Sequence, residues 1–205
     1  MSKIKFTKGE LKKQRDDLRR FERFLPILQL KKQQIQLETQ RSRERLRQKI
    51  EEIDNLESEI GEWARLLNEP IAGLGEWVRP REVRISALNI AGVDIPVFEK
   101  ALFGEVEYDL FAAPLWADKA VDSIRRFAVL LEEEKVLKNQ IKFLSEELRI
   151  VNQRVNLFEK VKIPECRENA RRIRIYLGDQ GANAVGRSKI AKTKLEKMSL
   201  EGVLA

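Results

Sequence analysis

Residues 11–30 read LKKQRDDLRRFERFLPILQL. Leu11, Leu18 and Leu25 stand seven apart, and Gln14, Phe21 and Leu28 follow them by three. Steps of three and four put these side chains on one stripe of a helix, the spacing with which helices pack side by side. Continued by sevens, the stripe runs through Lys32, Thr39, Leu46, Ile53, Ile60 and Leu67. Its companion positions are Ile35, Ser42, Lys49, Leu56 and Trp63. The phase holds without a slip, which predicts a coiled-coil helix rather than an ordinary amphipathic one. Thr7 suits the N-cap, with Glu10 completing a capping box. Pro26 lies just beside the seam, so it removes one backbone donor and kinks the helix without ending it.

The pattern stops at Asn68-Glu69-Pro70, where the sequence changes character. EVRISALNI and GVDIPVFE alternate as strands do, and the Ala91-Gly92 pair between them reads as a tight turn. A β-hairpin is therefore expected over 82–99. Trp77, Phe98, Phe103, Phe111 and Trp116 supply apolar bulk for a small satellite core. A second helix is expected from near Asp118. Its seam is Leu137, Ile141, Leu144, Leu148, Val151, Val155 and Phe158, extending back through Glu134, Leu130, Phe127 and Ser123 to Ala120. Pro164 shifts the phase, and a fresh stripe runs from Cys166 through Ala170, Ile173, Leu177, Ala184, Ala191 and Leu195 to Met198.

Two long helices separated by about fifty residues should fold back on each other. The expected fold is thus predominantly α: a long antiparallel two-helix coiled coil with a small central β-hairpin head. Its parts are an N-terminal helix (1–68), a head (69–117) and a C-terminal helix with a basic overhang (118–205). With Leu67 facing about Asp118, Lys49 comes opposite Glu134, and the two are expected to pair within an otherwise apolar seam. The same register sets residue 8 beside residue 177.

Composition narrows the function. The chain has 205 residues and no histidine, which removes the commonest general base and zinc ligand. Cys166 is the single cysteine, so no internal disulfide and no cysteine-based metal site can form. It falls in an apolar stripe, where a buried, inert thiol is expected. No apolar run approaches the ~18 residues of a spanning helix, so direct membrane insertion is not expected. Residues 1–24 carry nine basic side chains against four acidic ones, and residues 167–205 carry the same numbers. The antiparallel register gathers both basic ends at one pole. The residues expected to face a partner there are Lys8, Lys12, Lys13 and Arg15 with Arg187, Lys189, Lys192 and Lys194.

GANAVGRSK at 181–189 differs from the phosphate-cradling G-x-x-x-x-G-K-[ST] by Arg187 in place of the lysine. Helical phase runs through it, and no strand with a metal-holding aspartate follows, so no nucleotide cofactor is expected. Basic ends also suit a nucleic-acid-binding coiled coil, whose affinity would fall steeply with salt. Few aromatics interleave the basic residues, however. A prefoldin-like or tethering coiled coil would share the helix–hairpin–helix layout without explaining a basic pole.

Three further stretches carry a resemblance. FTKGELKKQRDDL (6–18), NIAGVDIPVFE (89–99) and QRVNLFEKVKIPE (153–165) resemble, in that order, the D subunits of V-type (archaeal and bacterial A/V-type) proton- or sodium-translocating ATPases. One departure is LGDQGANAVGRSK, inserted where that family has an acidic helix and then a lysine-rich end. The resemblance implies a non-catalytic rotor shaft in the central stalk. It implies termini inside a ring of catalytic A and regulatory B subunits, and contact with the F subunit of the stalk and a membrane-side rotor adaptor. It further implies no cofactor and a cytoplasmic place peripheral to the membrane.

Overall fold

The computed structural model describes residues 4–63, 74–105, 114 and 116–201. Helix α1 (Lys8–Trp63) is followed by the short α2 (Leu74–Val78), strands β1 (Pro80–Ile90) and β2 (Val93–Phe103), and helix α3 (Ala117–Asn156). A π-helical segment (Leu157–Lys162) then leads into α4 (Ile163–Glu201). The fold is predominantly α with one two-stranded antiparallel sheet. Leu67, Phe111 and the expected end of the first helix at Asn68-Glu69-Pro70 lie outside the described residues. The chain forms two compact units, one of Met1–Gln29 with Gln153–Ala205, the other of Leu30–Asn152.

Helix α1 begins as its cap dictates. Thr7 Oγ1 accepts the backbone N–H of Glu10 at 3.2 Å. Only half of the expected capping box forms, because the Glu10 carboxylate takes the Gln14 amide instead and the Thr7 N–H donates to the Lys5 carbonyl. Pro26 is carried inside the helix. Each expected seam position from Leu11 to Ile60 is buried or half-buried, polar Lys32, Thr39, Ser42 and Lys49 included. Thr39 tolerates burial by donating its hydroxyl to the Ile35 carbonyl at 2.7 Å.

In the Leu30–Asn152 unit the seam meets α3. Ile53 and Leu56 bury themselves against Leu130, with Ile60, Phe127 and Leu131 around them. Ile35, Leu144 and Val151 are fully enclosed, each worth about 1.5–3 kcal/mol of apolar burial. Lys31 meets Glu147 at 2.8 Å and Lys49 meets Glu133 at 3.0 Å. Rising numbers on α1 pair with falling numbers on α3, so the helices are antiparallel.

The hairpin of this unit runs 80–103, longer at both ends than the 82–99 expected. Lys100 interrupts the apolar run, yet Ala101, Leu102 and Phe103 still pair back to Val83, Glu82 and Pro80. Ala91 and Gly92 both have positive φ, 53° and 77°, as a two-residue hairpin turn following the strands' right-handed twist requires. Asn89 steadies this turn, accepting the Gly92 N–H at 3.1 Å and donating to Asp94 at 2.6 Å.

The other unit repeats the antiparallel packing. Gln14 accepts from Asn169 at 3.5 Å, and the Phe6 and Tyr176 rings lie 4.9 Å apart, as do those of Phe21 and Phe158. The phase shift that Pro164 announces has a specific cause. Steps of four and three from Val151 through Val155 and Phe158 would continue to residues 162, 165 and 169. The apolar side chains buried are Ile163, Cys166, Ala170 and Ile173, each one position later; of the unshifted positions only polar Asn169 is also buried, while Glu165 is exposed. The six-residue π-helix absorbs that residue, and the Ile163 N–H reaches back five positions to the Phe158 carbonyl. Pro164 has no N–H, and its ring crowds the carbonyl four residues back in an α-helix, so a wider turn fits there.

Deleting Glu159 together with Pro164→Ala should let the segment run as plain α-helix with its seam in phase. The melting temperature is then expected to stay within about 3 °C of wild type. Deleting Arg167 leaves the π-turn but rotates Ala170 and Ile173 off the seam, and should lower it by about 8 °C or more. Equal losses in thermal melts of the two deletions would show that the π-turn does not set the phase.

Candidate functional site

The Phe6–Tyr176 contact brings the amino-terminal segment against α4 and joins the two basic stretches in one unit. Lys8, Lys12, Lys13 and Arg15 on α1 are exposed, as are Arg187, Lys189, Lys192 and Lys194 on α4. Lys13 also borders a polar cleft with Lys5, Glu10, Asp17, Lys162 and Glu165. Some neighbouring cations have acidic partners. Arg167 donates to Glu22 at 2.7 Å, and Arg171 and Arg172 both clasp Glu168 at 2.8 Å. Hydrogen bonds from Arg171 first, then Arg172, pull the Glu168 carboxyl down to about 2. Lys192 lies 3.7 Å from Glu196.

GANAVGRSK is continuous helix within α4. A phosphate cradle needs a loop whose N–H groups converge, whereas helical N–H groups are turned along the axis. The apolar stripe expected to continue through Ala184, Ala191 and Leu195 to Met198 is left uncovered: all four are exposed, Leu195 at 67% and Met198 at 68%. A Cβ at Gly178, Gly181 or Gly186 would meet nothing within 4 Å. These glycines therefore answer no packing need, and each weakens the helix by ~1 kcal/mol relative to alanine. The result is a weakly braced helix with an apolar stripe and a basic surface, suited to being held by a partner.

Cys166 is buried as expected, and desolvation raises its thiol pKa, which keeps it unreactive. The expected Lys49–Glu134 pair is corrected by the structure. Lys49 contacts Glu133 at 3.0 Å and Glu52 at 2.9 Å, while Glu134 pairs with Lys138 one turn along its own helix. Glu133 and Glu134 each lie three or four residues from both Leu130 and Leu137, so spacing alone admits either. A one-residue step turns a side chain by ~100° about the helix, and cross-helix packing selects Glu133. The two carboxylates raise the Lys49 pKa, Glu52 contributing most.

Periodicity also passed over Arg125, whose acceptors are backbone carbonyls. Its Nε donates to the Trp77 carbonyl at 2.8 Å and its Nη2 to the Gly104 carbonyl at 2.6 Å. No side-chain pattern could announce such partners. Among the described residues, no helix is long and apolar enough to cross a membrane.

The partner of Lys49 is open to a double-mutant cycle. Lys49→Met and Glu133→Gln should couple by about 0.5–1 kcal/mol, the range of a part-exposed pair. Lys49→Met and Glu134→Gln should be additive in denaturant titrations; coupling to Glu134 instead would reverse the assignment.

The sequence profile of the family described as the D subunit of ATP synthase matches residues 10–193. The V-type ATP synthase D subunit of Borreliella burgdorferi is 44% identical over 197 residues, covering 96% of this chain and 97% of that protein. The subunit of the same name from Chlamydia caviae is 31% identical over 206 residues, covering 100% and 99%. That from Chlamydia pneumoniae is 30% identical over 201 residues, covering 97% and 96%. The likeness spans nearly the whole of the given chain: the chain belongs to the ATP synthase D-subunit family.

Proposed function

We propose that this chain is the central-stalk rotor subunit of a V/A-type ion-translocating ATPase. In this role it carries torque between the ring where ATP is hydrolysed or made and the rotor in the membrane, and has no catalytic site of its own. Family membership supports the class. The observation that carries the mechanism is the pairing of Phe6 with Tyr176, which joins two basic segments while α4 continues as exposed helix.

Within each unit, antiparallel helices share a buried seam, so twist applied to one is borne by its partner rather than lost as sliding. Lys8, Lys12, Lys13, Arg15, Arg187, Lys189, Lys192 and Lys194 face the ring of catalytic A and regulatory B subunits. Exposed ion pairs contribute only ~0–1 kcal/mol each, and that weakness suits contacts broken and remade at every turn. The uncovered stripe of α4 adds apolar contact against the ring wall. The F subunit of the central stalk and a membrane-side rotor adaptor bind along the Leu30–Asn152 unit. The chain acts on the cytoplasmic face, peripheral to the membrane. Family membership does not favour nucleic acid as the partner.

Removing residues 181–205 takes away the helix of 181–198, which is almost wholly exposed, and leaves the buried seam through Ile173 intact. The isolated chain should melt within about 3 °C of wild type. In the reconstituted complex, ions moved per ATP hydrolysed should fall several-fold. Unchanged coupling after this truncation would overturn the proposed role of the basic pole.

A further inference from the structure

Two strands alone are only marginally stable in water, so what fastens the 80–103 hairpin to the rest of its unit matters. Along one part of its packing the fit is incomplete. A cavity of about 300 Å³ is lined by Leu88, Val97 and Phe98 of the hairpin with Val136 and Leu137 of α3.

The open end of the hairpin is held differently. Pro80 pairs with Phe103, and the chain enters the hairpin past Trp77 and leaves it through Gly104. Arg125 of α3 grips both: Nε donates to the Trp77 carbonyl at 2.8 Å, and Nη2 donates to the Gly104 carbonyl at 2.6 Å. Its guanidinium also lies 5.1 Å from the centre of the Phe103 ring, within range of a cation–π attraction. Gly104 is buried, and the Arg81 guanidinium passes 2.8 Å from where its Cβ would stand. One planar side chain thus ties the segment leading into the hairpin, the residue that follows it and an aromatic of the hairpin to α3. Only arginine offers two donors in a fixed fork with a delocalised cation above a ring.

We infer that Arg125 is a positioning residue that fastens the hairpin head to α3, so that force acting on the head passes into the helix. The inference rests on the rotor reading for its functional half, but its structural half is measurable on the isolated chain. The test uses Arg125→Met and the milder Arg125→Lys, which keeps the charge but loses the fork. Hydrogen exchange is followed by mass spectrometry, and ions moved per ATP are measured in the reconstituted complex.

In both variants peptides from 80–104 should exchange about tenfold faster or more, while peptides from 144–173 keep wild-type protection. ATP hydrolysis should persist while ions moved per ATP fall. Wild-type exchange across 80–104 in Arg125→Met would overturn the inference, as would full wild-type behaviour of Arg125→Lys, which would show that charge alone suffices. Faster exchange with unchanged coupling would overturn the claim that the latch transmits force. Failure of the rotor reading itself shows elsewhere, as absence of this chain from the ATPase complex extracted in mild detergent, and leaves the exchange result standing.

Discussion

Burial of one stripe of side chains, repeating by threes and fours on two helices that run in opposite directions, holds everything else in place. It selects which residues face inward and sets which numbers pair across the helices. It also turns the remaining charged surface outward. The stripe is not wholly apolar. Thr39 satisfies its hydroxyl on its own helix, while Lys31 and Lys49 reach its edge and meet carboxylates there. Such polar positions contribute little to stability, but they resist sliding because a shifted register would strand them.

The π-turn at Leu157–Lys162 shows how strictly this burial acts. An α-helix can keep its seam facing a partner only while the three-and-four spacing holds. Pro164 both denies a hydrogen bond and crowds the preceding turn, and the chain widens rather than breaks. One extra residue is absorbed, and Ile163, Cys166, Ala170 and Ile173 return to the inside. The stretch containing this turn also carries the most recognisable family resemblance, which fits a segment whose wording answers to a geometric need.

Forces of different kinds are placed where their strengths suit them. Apolar burial, strong and insensitive to salt, occupies the seam. Charge-assisted hydrogen bonds to backbone carbonyls, stronger than neutral ones, close the open end of the hairpin through Arg125. Exposed charge, weak and readily exchanged, covers the two ends of the chain. A shaft that must stay whole while its outer contacts change calls for that division.

Much of this was legible in the residues. Heptad spacing from Leu11 to Ile60 specified α1 and its buried face, Thr7 its start, and Ala91-Gly92 the hairpin turn, because each depends on neighbours in sequence. The charge count alone marked the two basic ends. Local spacing could not settle the choices made by contact across the fold. Glu133 rather than Glu134 meets Lys49, since either satisfies the spacing and only packing sets the helix rotation. The hairpin runs on past Lys100 because its partner strand is there to pair with it. Arg125 binds carbonyls, which every residue has and no pattern distinguishes. Spacing and composition thus suffice for the elements, their inward faces and their charge. Helix rotation, strand length and the arginine latch come only from the folded chain, because they depend on distances between residues far apart along it.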